Sequence, residues 1–299
     1  MKSTDFTLHT FQVEENKSEA TLIYRRTDIE SKGAIIYVHG FIDYFFQTEM
    51  ALWFNNLGFD FVAIDLRRYG RNLRPEDKPN FIGEIKEYFQ EIDYAIKFIE
   101  PWNVSKIILN GHSTGGLTTA LYAHYHSNIS GLILNSPFFD FNVPAISKLT
   151  IPLLSPLGKW FPYLEMSKLP QTYPMSLHIK HKGEWDFNTQ WKPIENFPTY
   201  LGWIRAIHLA QQELQSGLNI QCPIVVLHSD KSYKGLKWSD EVLKSDAVLD
   251  VEHIKKYAKN IGKNTTIIEI KNGLHDLVLS QKESRMNYYQ KLEKWLMQL

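Results

Sequence analysis

The chain has 299 residues, in which 33 Lys and Arg balance 33 Asp and Glu. At roughly 150 residues per domain the length admits two domains or one large α/β domain, and zero formal charge leaves no overall field to draw nucleic acid or an anionic lipid surface. The single cysteine, Cys222, excludes an internal disulfide and a thiolate metal cage and points to a reducing compartment. Residues 1–10 hold no apolar run suited to a signal peptide, and no segment approaches the roughly 18 consecutive apolar residues of a membrane span. A cytoplasmic protein without membrane span or nucleic-acid partner is the expectation.

In chain order, short apolar, β-branched runs at 21–24, 34–38, 61–64, 106–109 and 132–134 read as buried strands. Between them, 85–99 places Ile85, Tyr88, Phe89, Ile92, Ile96 and Ile99 on one helical face, with Lys86, Glu87, Glu91 and Asp93 elsewhere. Segments 115–126 and 282–299 repeat that pattern. Alternating strands and helices predict a mostly parallel sheet covered on both faces. The alternation stops near Asp140 and resumes at Pro223, before another strand at 224–227, a helix near 251–261 and a strand at 265–270. Of the chain's 13 prolines and 8 tryptophans, 8 and 4 respectively fall within 141–220. Helices there must be short and broken, because proline lacks a donor and clashes with the preceding turn. The expected division is an α/β core of 1–140 and 221–299 with a mainly helical cap inserted at 141–220.

Asn110-Gly111-His112-Ser113-Thr114-Gly115-Gly116 follows a buried strand and precedes a helix. In that context Gly-x-Ser-x-Gly forces the serine into a strained turn that exposes its hydroxyl at the C-terminal edge of the sheet. The helix behind it offers free N–H groups and a positive dipole end. A serine hydroxyl needs a base, and the base needs an orienting acid. His275 follows the 265–270 strand and is therefore delivered to the same edge. His228 reads as strand-end packing and His253 as a polar helix face. The pairs His124/His126 and His178/His181 accompany no cysteine or carboxylate cluster that would suggest a metal. For the acid, Asp230, Asp240, Asp246 and Asp250 all follow the 224–227 strand, and spacing leaves them open.

Taken together and in order, these motifs resemble the α/β-hydrolase superfamily, and within it the monoglyceride lipase, lysophospholipase and serine aminopeptidase type, over nearly the whole chain. Tyr37-Val38-His39-Gly40-Phe41 resembles the His-Gly oxyanion loop. Asp65 to Asn72 resembles the Asp-x-Arg-Gly-x-Gly-x-Ser turn, with Arg68 for the first glycine and Asn72 for the serine. The resemblance implies a Ser113–His275–Asp246 triad, because Asp246 and Asp250 fit the family's Asp-x-x-x-Asp and Asp230 does not; 229–244 is then an insertion in the acid loop. It also implies an oxyanion hole formed by the N–H groups of Phe41 and Thr114. The cluster Arg67, Arg68 and Arg71 is read as paired or solvated, outside the site.

These readings predict a serine hydrolase that cleaves carboxylic esters through an acyl-enzyme, with no cofactor or metal. The cap tryptophans Trp160, Trp185, Trp191 and Trp203 are expected to meet an apolar acyl or aromatic group of a small ester substrate. An aminopeptidase or acyltransferase on the same triad, or a non-catalytic ligand-binding member of the fold, are the alternatives. For an aminopeptidase, Glu165, Glu184, Asp186 and Glu195 could hold a substrate amino terminus.

Overall fold

A computed structural model describes residues 6–13 and 18–299. Residues 1–5, part of the opening segment read above for a leader, lie outside the described residues. In chain order the elements are β1 (Thr7–Val13), β2 (Ser18–Arg25), β3 (Gly33–Val38), α1 (Thr48–Asn56), β4 (Phe59–Asp65), α2 (Phe89–Ile99), β5 (Ile107–His112), α3 (Thr114–Tyr125) and β6 (Gly131–Asn135). Then follow α4 (Ala145–Leu154), β7 (Glu165–Lys168), α5 (Thr172–Leu177), β8 (Pro198–Tyr200) and α6 (Leu201–Gln215), before β9 (Ile224–Ser229), α7 (Val251–Ala258), β10 (Thr265–Ile270) and α8 (Lys282–Leu296).

The central sheet has eight strands in the order β1-β2-β4-β3-β5-β6-β9-β10. The pairings from β4 through β10 are parallel, and only β1–β2 and β2–β4 are antiparallel. All six residues of β3 are buried, and they divide between two cores by the period-two rule. Ala34, Ile36 and Val38 face the layer holding α2, α3 and α6, whereas Ile35 and Tyr37 face the layer of α1 and α8. Burial on both faces is why these strands read as continuous apolar runs.

The helix expected over 85–99 begins as a tight 3₁₀ turn, Ile85–Tyr88, closed by a reciprocal capping box between Glu84 and Glu87, before α2 takes over. Glu91 on α2 lies inside the core, where it grips Arg67 through two bonds of 2.7 Å. Between β6 and β9 lie several short elements, but the expectation that helices there are all short and broken does not hold: α6 runs unbroken for 15 residues, since 201–215 contain no proline, and α4 carries Pro152 inside it. A small two-stranded sheet of β7 and β8 lies in this segment. Leu149, Leu153 and Trp160 are each about three-quarters exposed there, on α4 and the turn that follows it. Among the described residues no helix is long and apolar enough to cross a membrane.

Candidate active site

β5 runs directly into Ser113, which adopts φ 53 and ψ −116 as it caps α3. A side chain in that left-handed region is strained, and its neighbours must give way. A Cβ on Gly111 would strike Thr119 Oγ1 and the Gly115 carbonyl, and one on Gly115 would strike the carbonyls of Val38 and His39. The two glycines of the motif are thus steric requirements of the turn. Ser113 is buried, at 6% exposure.

His275 reaches the same edge from the loop after β10. Its Nε2 lies 3.0 Å from Ser113 Oγ, and its Nδ1 donates to Asp246 Oδ2 at 2.9 Å. With Nδ1 carrying the proton, Nε2 is the acceptor for the serine hydroxyl. Asp246 is fully buried, and its other oxygen accepts from the N–H groups of Val248 at 2.9 Å and Leu249 at 2.7 Å. These bonds fix the carboxylate before it meets the imidazole.

Asp246 occupies this position because the chain leaves β9, makes an excursion and returns. Asp246 N donates to the Lys231 carbonyl at 2.9 Å, and Tyr233 N donates to the Asp246 carbonyl at 2.7 Å. Asp230 has a different partner: its Oδ1 accepts from Asn272 N at 2.7 Å, tying the β9 loop to the β10 loop. Asp250 caps α7, and Asp240 opens a 3₁₀ turn in the excursion.

The loop after β3 passes beside the serine. A Cβ on Gly40 would stand 3.0 Å from Ser113 Cβ and 3.1 Å from the His112 ring, so any larger residue would press on the serine. His39 braces the loop: its Nδ1–H donates to the Gly40 carbonyl at 2.8 Å and its Nε2 accepts from Leu66 N at 3.1 Å. Burial pushes the His39 pKa below its ordinary value. Phe41 packs on Trp203 with ring centroids 4.1 Å apart, and Thr114 is the first residue of α3.

The four tryptophans separate. Trp203 is buried against Phe41, beside the serine loop. Trp191 packs edge-on against Tyr44 at 5.1 Å, under Arg71. Trp185 donates its indole N–H to the Leu279 carbonyl at 2.8 Å. Trp160 points to solvent, 75% exposed. The arginines lie in ion pairs or loop bonds: Arg67 with Glu91, Arg71 with Asp65, and Arg68 donating to the Phe81 carbonyl at 3.1 Å.

Several residues at this edge were not visible in the sequence pattern. Tyr173, on α5, packs edge-on against His275 with centroids 5.3 Å apart, and its hydroxyl accepts from Asp276 N at 3.2 Å. Loss of water and the nearby carboxylates push the Tyr173 phenol well up. Asp276 accepts from Asn135 Nδ2 at 2.7 Å and Gln47 Nε2 at 3.1 Å. Its place beside His275 was the one available signal. Asp43, His112 and Asp276, all buried, bring potential metal-ligating atoms within 4.8 Å of one another. Sequence spacing suggested no such cluster, since its members come from the loop after β3, the end of β5 and the loop after β10, far apart in the chain. Asp276 is already engaged as above, Asp43 is paired with Lys192 at 2.7 Å, and His112 Nδ1–H donates to the Asn135 carbonyl at 3.1 Å. The trio therefore serves as hydrogen-bonded support around the serine. Burial lowers the His112 pKa.

No curated protein matches the chain in sequence. Its fold is similar to that of a soluble variant of monoglyceride lipase from Saccharomyces cerevisiae solved with a substrate analog, at 14% identity and a TM-score of 0.76, covering 99% of this chain and 96% of that one. It is similar as well to the monoacylglycerol lipase of Paleococcus ferrophilus, with 18% identity, a TM-score of 0.70 and 98% of both chains covered. A thermostable carboxyl esterase from Bacillus coagulans, solved with glycerol, shares the fold at 16% identity and a TM-score of 0.63, covering 97% of each chain. Residues 29–282 match the family described as serine aminopeptidase, S33. With the mostly parallel eight-stranded sheet and the strand-to-helix serine turn in place, the chain belongs to this family of the α/β-hydrolase superfamily.

Proposed function

We propose that this protein is a serine hydrolase that cleaves carboxylic esters through an acyl-enzyme. One observation carries the reading: the continuous chain from Ser113 Oγ to His275 Nε2, 3.0 Å, and from His275 Nδ1 to Asp246, 2.9 Å, at the mouth of a strained turn. Ser113 attacks the ester carbonyl as His275 takes its proton, and Asp246 stabilises the imidazolium. The N–H groups of Phe41 and Thr114 receive the oxyanion. His275 then protonates the leaving alcohol, and water, activated by the same imidazole, releases the acid. Cys222 does not compete as a nucleophile, because burial pushes its thiol up to about 11.

The segment 141–220 acts as the cap in this reading, with Trp203 and Tyr173 as its contribution nearest the serine. A small ester with an apolar acyl or aromatic group suits that lining. A peptide amino terminus would require an unpaired carboxylate turned into the site rather than out to solvent. Glu165 and Glu195 are exposed, Asp186 is 83% exposed, and Glu184 is paired with Arg285. This favours esters over aminopeptidase substrates. Rates on a ladder of p-nitrophenyl esters compared with amino-acid anilides test the choice: esters are expected to turn over well ahead of anilides, and a preference for anilides would reverse it.

A further inference from the structure

The oxyanion loop contains a conformational anomaly. Ile42, next to Phe41, has φ 50 and is buried. For a β-branched residue the left-handed region is strained, and such strain persists only where the surroundings over-determine it. On the N-terminal side the loop is held by the two His39 bonds described above. On the other side stands Asp43, and the partner of its carboxylate comes from far along the chain.

Lys192 Nζ donates to Asp43 Oδ1 at 2.7 Å, and the two side chains are only 5% and 2% exposed. The second oxygen of Asp43 has no hydrogen-bond partner among the described residues, so Lys192 is the group that compensates this buried charge. Lys192 is itself anchored. Its N–H donates to the Asn188 carbonyl at 2.9 Å, and Asn188 N donates to Tyr44 Oη at 2.7 Å. The ammonium lies 5.7 Å from the Phe46 ring and 5.8 Å from those of Tyr173 and Phe187. A buried ion pair contributes little net stability compared with apolar packing, because both charges must be desolvated. What this pair supplies is a fixed location for the residue that follows the strained turn.

We propose that Lys192 is a positioning residue for the reaction: through Asp43 it clamps the Ile42 turn, so that the Phe41 N–H stays aimed at the developing oxyanion. The proposal rests on the ester-hydrolase reading. It makes residue 192, within the inserted segment, part of the oxyanion hole's support.

The test compares the parent chain with Lys192→Met, Asp43→Asn and the double variant. Turnover of p-nitrophenyl butyrate is normalised to active sites counted by fluorophosphonate labelling run to completion. Lys192→Met is expected to lower kcat per labelled site about 10²-fold, near the effect of losing one oxyanion donor, while KM changes less than about threefold. A trifluoromethyl ketone, whose adduct carries the oxyanion, should lose affinity in parallel. The double variant removes both buried charges and should recover thermal stability while kcat stays low; recovery of both together would mark the pair as merely structural and overturn the proposal. If Lys192→Met does not fold, the near-isosteric Asp43→Asn gives the same reading. A Lys192→Met kcat per labelled site equal to that of a parent that turns over would overturn this proposal alone. A parent that neither labels nor turns over would overturn the hydrolase reading and this proposal with it.

Discussion

Asp246 and Asp230 both follow β9, yet they are placed for different work. Asp246 is fully buried, takes two backbone N–H bonds on one oxygen and the imidazole on the other. Asp230 spends its carboxylate on Asn272 N. Asp246→Asn should therefore lower kcat about 10⁴-fold, as expected when the imidazole loses the acceptor that sets its tautomer. Asp230→Asn should leave kcat within about tenfold and act on stability through the loop bond. Steady-state ester kinetics on both variants check the ranking, and the reverse order would transfer the acid role. At this scale Ser113 and His275 were legible from their positions after strands. Asp246 was not separable from Asp230 by spacing, because the excursion that returns it beside Lys231 is a tertiary feature; only the family resemblance favoured it. Asp43 and Lys192 were invisible for the same reason, lying 149 residues apart.

Among the elements, α2 shows how a polar residue can be built into a core. Its Ile92, Ile96 and Ile99 are buried, as the helical period indicated, and so are Ala95 and Glu91. That period assigned Glu91 to the polar face. The buried Arg67–Glu91 pair, with neither side chain exposed, overrides it. Glu91→Gln would leave Arg67 buried with its charge uncompensated, and is expected to destabilise the fold by about 3–5 kcal/mol. Urea unfolding measures this; a change below about 1 kcal/mol would show that Arg67 finds other acceptors. Legibility followed burial. Strands β3, β5, β6 and β9, covered on both faces, announced themselves as apolar runs. β1 went unread, since it is an edge strand whose Leu8 is 56% exposed. α1 also went unread: its N-cap is Gln47, with no side-chain cap bond, and a buried Asn55 interrupts its apolar face.

The whole molecule carries neutral imidazoles in its interior. His39, just after β3, and His112, at the end of β5, sit beside the serine, and desolvation lowers both from 6.5. The unfolded chain takes up protons near that value while the folded chain does not, so the unfolded state binds more protons as pH falls below it. Stability is therefore expected to be complete above about pH 6.5 and to decline progressively below it. A thermal midpoint that stays level from pH 7 to about 5 would contradict this. The three-layer architecture, a mostly parallel sheet with helices on both faces, was readable from the alternation of strands and helices. The proline-rich stretch from 144 to 198 was readable as short elements; the 15-residue α6 after it was not, because 201–215 carry no proline to break a helix. Which of their side chains would reach the serine was not, since Trp160 faces solvent and Trp203 faces Phe41.

The central claim is that Ser113 is an activated nucleophile. Incubating the folded protein with a fluorophosphonate and mapping the adduct by peptide mass spectrometry tests it directly. The expected result is one phosphonyl group per chain, on Ser113, with labelling abolished in Ser113→Ala and ester turnover reduced about 10⁶-fold in the same variant. An unlabelled Ser113 in folded protein, or turnover that survives Ser113→Ala, would contradict it.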